Sequence, residues 1–209
     1  FDQGDVHFVC LYNPGYKIHD FSTNSLQYRW LEADLAASAK PWKVLFQHIP
    51  TRTSAPHRFD IMTAGEPKLY DWQRLQATLL PLAARHGVSL ILNGHEHCYE
   101  RFAPVQGVHS LTSGGGGVSL YSLADLDDLS SLFSSIYHFL NISVDGPIMT
   151  IRAIGTRGQL IDEWKIQHGP PARRQYALTW SLPVVEPGPA DDGDGNIAGQ
   201  RWDSRWELM

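Results

Sequence analysis

Apolar and polar positions alternate in a way that divides the first half of the chain into strands and helices. Asp5–Tyr12 (DVHFVCLY) carries β-type residues with apolar groups on both faces, Val6, Phe8 and Cys10 against Val9 and Leu11. That pattern predicts a strand covered on both sides, ended by the turn residues Asn13-Pro14-Gly15. Asn24 or Ser25 then caps a helix running to about Ala39, with Leu26/Trp30 and Leu31/Leu35 as i,i+4 apolar pairs and Pro41 as its stop. Lys43–Gln47 is a short apolar strand ending at His48-Ile49-Pro50. Thr51–Glu66 is polar and reads as a long loop beyond that strand. Pro67–His86 forms a second helix with Trp72, Leu75, Leu79 and Leu82 on one face, Pro81 as a break in its bonding and Gly87 just past its end. Val88–Asn93 closes a βαβαβ rhythm, which favours an α/β fold with a parallel sheet.

The helical rhythm is lost after Phe102. Val108–Thr112 reads as a strand, followed by the glycine run Gly114–Gly117. Leu123–Tyr137 is rich in Ser, Asp and Leu and reads either as a helix or as an excursion. Phe139–Val144 and Ile148–Ala153 form a hairpin across Asp145-Gly146, and Gln159–Ile166 adds another strand. Consecutive antiparallel strands thus follow the βαβαβ unit. Residues 1–168 are expected to form one domain, 169–189 a Pro-rich linker, and 190–209 a separate tail.

Composition narrows the classes. Apolar content of 43% and charged content of 19% suit a packed globular protein. A net charge of −5 with no Lys/Arg cluster offers no surface for nucleic acid, and no run resembles a membrane span or a signal peptide. The chain opens at Phe1 directly in strand-like sequence, which reads as the interior of a longer protein. Cys10 and Cys98 allow at most one bridge and do not decide the compartment.

Candidate chemistry concentrates in Val88–Arg101, VSLILNGHEHCYER. An apolar strand stops at Asn93-Gly94 and releases His95 and His97 into a loop, a usual way to present metal-binding imidazoles. His48 also follows a strand end, so in a parallel sheet all three emerge on one edge. Imidazole suits Zn, Fe or Mn. The competing reading is a loop of solvated histidines.

Gly94-His95-Glu96-His97 resembles the C-terminal ligand motif of the calcineurin-like metallophosphoesterases, and Cys98-Tyr99-Glu100-Arg101 continues it in the manner of the purple acid phosphatase branch. The similarity extends over about residues 3–168: Phe8–Leu11, Gln27-x-x-Trp30-Leu31, Trp42–Phe46 with His48-x-Pro50, Gly87–Arg101, Ser113–Gly117 and the closing hairpins. It implies the C-terminal part of a four-layer αββα sandwich and a two-metal site that hydrolyses phosphate esters. By the same resemblance His48 and His95 bind one ion and His97 its neighbour, while His57 contacts phosphate or protonates the leaving group unless it is a solvated loop residue. Asn93, Tyr99, Glu100 and Arg101 are then placed to hydrogen-bond the ligating rings, the alternative being packing and, for Glu100, a surface ion pair. Two divalent or trivalent ions (Fe, Zn or Mn) and a phosphate-ester substrate are the implied cofactors and partner, with a secreted or periplasmic location.

The sequence departs from that family in lacking Asp-x-His, Gly-Asp-x-x-Asp and Gly-Asn-His-Glu/Asp, which supply the remaining ligands. Three histidines do not neutralise two ions, so the longer parent is expected to be the phosphoesterase and these 209 residues alone to be inactive. The other class is a non-catalytic secreted scaffold or binding protein keeping the fold. The glycine run lacks the Gly-Lys-Ser/Thr of a phosphate loop and reads as close backbone approach near the site. Asp191, Asp192 and Asp194 read either as the opening of a calcium-binding FG-GAP/VCBS-like repeat or as an acidic linker.

Overall fold

A computed structural model describes residues 1–13, 21–59 and 71–168. The linker and tail expected at 169–209, including Asp191, Asp192 and Asp194, lie outside the described residues, as do most of the 51–66 loop's second half and the start of the second helix.

The chain opens with β1 (Asp2–Gln3) and β2 (Val6–Cys10), joined antiparallel, a short pairing that the apolar pattern did not signal. Helix α1 (Leu26–Ala37) starts at Ser25, whose hydroxyl accepts the Tyr28 N–H, and its buried residues are Tyr28, Leu31 and Leu35. The expected Leu26/Trp30 pair does not face the core: Leu26 is 81% and Trp30 50% exposed. The inward stripe is set by i,i+3 and i,i+7 spacing from Tyr28, which leaves those two on the outer side of the helix. Strand β3 (Trp42–Gln47), helix α2 (Asp71–Arg85, with Pro81 inside it) and β4 (Leu90–Asn93) then follow. Gly87 has φ +68, the left-handed conformation of a helix-ending residue.

Beyond β4 come β5 (Tyr99–Phe102), β6 (His109–Ser113) and β7 (Ser130–Ser134). The last of these is the strand within the segment read as a helix or an excursion. β2, β3, β4 and β6 run parallel, and β5 and β7 extend the same sheet antiparallel, giving the order β1-β2-β3-β4-β6-β5-β7. β8 (His138–Asp145), β9 (Ile148–Gly155) and β10 (Leu160–Gln167) form a separate antiparallel meander, turning at Gly146 as expected.

Period-2 alternation sorts the two cores. Leu45 and Ile91 face the helices with Leu31, Leu35, Leu75, Leu79 and Leu82. Val44 and Leu90 face the second sheet with Trp42, Leu111, Met149 and Ile151. Each fully buried leucine contributes about 2 kcal/mol by removal from water. The described residues therefore build a helix layer, a seven-stranded sheet and a three-stranded sheet, the mixed α/β class expected. No helix among them is long and apolar enough to cross a membrane. The parallel strands carry their loops to one edge, where the histidines emerge.

Candidate metal centre

Gln47 and Asn93 are paired in register at the ends of β3 and β4, so His48 and Gly94 leave the sheet side by side. A buried amide ladder fixes this edge. The Asn13 amide N–H bonds Gln47 Oε1 at 3.1 Å, Gln47 Nε2 donates to Asn93 Oδ1 at 3.0 Å, and Asn93 Nδ2 donates to Ser110 Oγ at 3.0 Å and the Leu111 carbonyl at 3.2 Å. Asn13 Oδ1 also accepts the backbone N–H groups of His48 (2.7 Å) and Ile49 (3.1 Å). Asn93 thus holds the strand ends that carry the histidines; its side chain bonds Gln47, Ser110 and Leu111 of the ladder, where a bond to an imidazole was expected.

Gly94 N–H is shared between the Gln47 and His48 carbonyls, and His95 follows with φ +67. A side chain in the left-handed region is uncommon and is kept only where its surroundings hold it. The result is that His95 Nδ1 lies 3.0 Å from His48 Nε2. The His57 ring is 4.2 Å from that of His95 and 5.1 Å from that of Tyr121, and Tyr121 stacks on His97 at 4.1 Å with 18° between planes. His48, His95, His57 and His97 are therefore joined in one ring cluster, with Tyr121 as the link that sequence reasoning missed. Tyr121 lies in a segment with no periodicity and could not have been placed from pattern alone.

Burial keeps both His48 and His95 below the usual imidazole range, His95 to about 4, and the neighbouring histidines reinforce the shift. Neutral rings carry the lone pairs a metal needs. His97 Nδ1 lies 2.8 Å from the Ser119 carbonyl, which can only accept, so Nδ1 bears the proton and Nε2 the lone pair. Two nitrogens on one ion, each bonded at about 2.0–2.1 Å, stand roughly 2.9–3.4 Å apart for angles between right and tetrahedral. The 3.0 Å separation of His48 and His95 fits that bite. The donor set present is thus suited to a first-row metal, although among the described residues no group of three His, Cys, Asp or Glu is arranged as a closed cation site.

The residues around the histidines differ from expectation in detail. Glu100 does not sit at the surface. It is fully buried, takes the Ser54 N–H at 3.0 Å and the Ser130 hydroxyl at 2.7 Å, and is bonded by the Ser54 hydroxyl as well. Its position on β5, between β6 and β7, aims it at the 51–55 loop. Tyr99 OH and Arg101 Nε both bond Asp162 of β10, at 2.7 and 2.6 Å. These three brace the loop and the second sheet, while the bonds to the His57 and His97 rings come from Glu96 and the Ser119 carbonyl. The expected close backbone approach at the glycine run is present: a Cβ at Gly114 would meet the Glu96 carbonyl, and one at Gly115 the Ile136 carbonyl and the His138 ring.

Glu96, between the two motif histidines, is the second residue sequence reasoning left without a role. Its side chain is fully buried; Thr53 Oγ1 donates to it at 3.0 Å and His57 Nδ1 lies 3.0 Å from its other oxygen. Burial raises its pKa, with the His57 and Thr53 bonds acting against that. Below it, the 51–58 loop is clamped by Asp127, which accepts from Arg52 Nε at 2.8 Å and Arg58 Nη1 at 2.9 Å, and whose N–H donates to Ser54 Oγ.

Residues 1–99 match the family model of the calcineurin-like phosphoesterases. Among curated relatives, the chain is 32% identical to Purple acid phosphatase 22 of Arabidopsis thaliana over 128 residues, covering 56% of this chain and 26% of that protein. It is 27% identical to Purple acid phosphatase 23 of the same plant over 158 residues, 68% of this chain and 31% of that protein. The chain therefore spans about a quarter to a third of the length of these relatives. Among solved structures, a purple acid phosphatase from yellow lupin (Lupinus luteus) seeds superposes with TM-score 0.65 at 21% identity, over 80% of this chain and 32% of that one. GAP50, the anchor in the inner membrane complex of Plasmodium, does so with TM-score 0.62 at 17% identity, over 80% of this chain and 50% of that one. At such identities the structural likeness speaks for the fold. By sequence, residues 1–99 are thus similar to the calcineurin-like phosphoesterases, and the chain resembles the purple acid phosphatases in sequence and in fold.

Proposed function

We propose that the protein to which these residues belong hydrolyses phosphate esters at a two-metal site, and that His48 and His95 bind one ion and His97 the other. The observation that carries this is the convergence of neutral imidazoles at the carboxyl edge of a parallel sheet, with His48 Nε2 and His95 Nδ1 at ligand spacing. Bound there, a divalent or trivalent pair (Fe, Zn or Mn) supplies charge neutralisation for the phosphate and an acidified water for in-line attack.

The chain's own residues do the rest. The amide ladder and Asn13 hold the strand ends, so the imidazoles are directed before any ligand arrives. The Ser119 carbonyl holds the His97 ring in the tautomer whose Nε2 can bind. His57, on the Pro56–Phe59 turn beside His95, is the proton donor to the leaving oxygen. The names of the relatives favour this reading over a non-catalytic scaffold. A secreted or periplasmic setting belongs with it.

The described histidines do not complete two coordination spheres, so the 209 residues by themselves are expected to show no turnover. The test compares p-nitrophenyl phosphate hydrolysis by this chain, by the longer protein that contains it, and by the longer protein carrying His97→Ala. Metal-dependent turnover confined to the unmutated longer protein supports the proposal. Turnover that survives His97→Ala, or that the isolated chain supports, overturns it.

A further inference from the structure

We infer that Glu96 is the positioning residue for His57, holding the Nδ1–H so that Nε2 is the nitrogen that takes up a proton from solvent and, from the resulting imidazolium, gives it to the leaving oxygen, the ring returning to its neutral Nδ1–H tautomer. The inference deepens the proposed function and rests on its placement of His57 in the site.

A carboxylate with no exposed surface is costly to bury unless hydrogen-bonded. Glu96 meets that cost with Thr53 Oγ1 on one oxygen and His57 Nδ1 on the other, each at 3.0 Å. An ionised carboxylate only accepts, so a neutral His57 ring must place its proton on Nδ1. The two partners come from one short loop, three residues before and at the tip of the Pro56–Phe59 turn, so Glu96 holds that loop at two points.

Glu96 is itself held tightly. Its N–H donates to the Gly94 carbonyl at 2.8 Å and its carbonyl accepts the Cys98 N–H at 2.8 Å, closing a tight turn. Gly114 lies against that same carbonyl with no room for a side chain. The turn that releases His95 and His97 on either side therefore sets Glu96 between them with little freedom. One backbone element thereby orients both the imidazoles proposed as ligands and the imidazole proposed as acid. A solvated loop histidine would have neither the paired carboxylate nor a fixed tautomer.

Two-bond ¹H–¹⁵N correlation on the ¹⁵N-histidine-labelled 209-residue chain reads the tautomer of each ring, with His57→Asn identifying the His57 signals. The expected result is Nδ1–H for His57 in the unmutated chain, a change to the Nε2–H form favoured by free imidazole in Glu96→Ala, and recovery of Nδ1–H in Glu96→Gln, whose carbonyl can still accept. In the longer protein, Glu96→Ala is expected to lower kcat roughly 10- to 100-fold with KM little changed. An Nε2–H ring in the unmutated chain overturns the inference without recourse to any variant, and an unchanged tautomer in a folded Glu96→Ala does so as well. A parallel zinc titration of the longer protein separates this from the ligand assignment: a longer protein that binds no zinc removes the metal reading, while the His57 tautomer still decides the role of Glu96.

Discussion

His48 Nε2 and His95 Nδ1 stand 3.0 Å apart although 47 positions separate them in the chain. The approach is a consequence of register. Gln47 and Asn93 are partners on adjacent parallel strands, and Gly94 N–H bridges back to the carbonyls of Gln47 and His48. The left-handed backbone of His95, φ +67, then turns its ring toward its neighbour. Two nitrogens that close, on rings kept neutral by burial, are the pair proposed to share one ion.

Single replacement of either partner should therefore weaken zinc binding by the 209-residue chain. His48→Ala and His95→Ala are each expected to raise the zinc Kd at least about tenfold, a loss of about 1.4 kcal/mol or more. The double variant should lose less than the sum, since one ion is shared. His86→Ala, just past the end of α2, serves as the control. Isothermal titration calorimetry measures all four. Equal affinities in the unmutated chain and the two single variants would show that the pair is not a ligand.

The glycine run offers a packing prediction with its own internal control. A Cβ at Gly114 would collide with the Glu96 carbonyl, while a Cβ at Gly116 meets nothing within 4 Å. Gly114→Ala should destabilise the chain by about 1–3 kcal/mol, the range for overpacking a tight contact. Gly116→Ala should stay within about 0.5 kcal/mol of the parent. Urea denaturation of the two variants checks this, and equal stabilities would remove the claim that Gly114 seats the histidine turn.

The strands and helix ends that carry the histidines were legible in the sequence because each is signalled locally. Ser25 caps, Gly87 terminates, and short apolar runs stop at His48 and at Asn93-Gly94. What was not legible depends on partners far along the chain. Leu26 and Trp30 have helical spacing yet face outward, because period alone does not say which stripe meets the sheet. Glu96 reads as a spacer until the 51–57 loop is folded against it. Glu100 reads as a surface charge until β7 and the Ser54 loop close over it. Tyr121 sits in a stretch with no rhythm, and its place on His97 comes from tertiary packing.

Asp127 gives a prediction about the loop that bears His57. Its side chain has no exposed surface and joins Arg52 and Arg58, whose side chains are 14% and 17% exposed. Burial works against its charge, but the Arg52 bond, the Leu129 N–H and Arg58 outweigh it and hold the carboxyl below its usual range. A depressed carboxyl contributes stability that is present above the unfolded-state pKa and lost as pH falls through the folded value. Asp127→Ala leaves two arginines facing a buried gap and should cost about 3 kcal/mol, the lower end for a broken buried pair because both guanidiniums keep some solvent. The loop anchor should also loosen, since the Ser54 carbonyl accepts the Ala124 and Asp125 N–H groups. Hydrogen exchange at Ala124 and Asp125 that is no faster in the variant would show that the ion pairs do not tether the two segments.

His138 gives the pH dependence its clearest sign. The ring is 6% exposed; Nδ1 donates to the Ile136 carbonyl at 2.9 Å, and Nε2 at 2.9 Å accepts from the Ser113 hydroxyl. Burial keeps its pKa below the usual imidazole value, with the Ile136 carbonyl pulling weakly the other way. The unfolded chain therefore takes up this proton before the folded one does. The stability due to the neutral ring is complete above the unfolded-state pKa of about 6.5 and is lost as pH falls through the folded value. His138→Gln removes the titration and, at about pH 7.5, should be less stable than the parent by about 1 kcal/mol from lost packing. As pH is lowered toward about 5 that gap should narrow, because only the parent pays for protonating a buried ring. Urea denaturation of both proteins across this range measures the gap, and a difference that stays constant or widens on acidification would show that His138 does not titrate with folding.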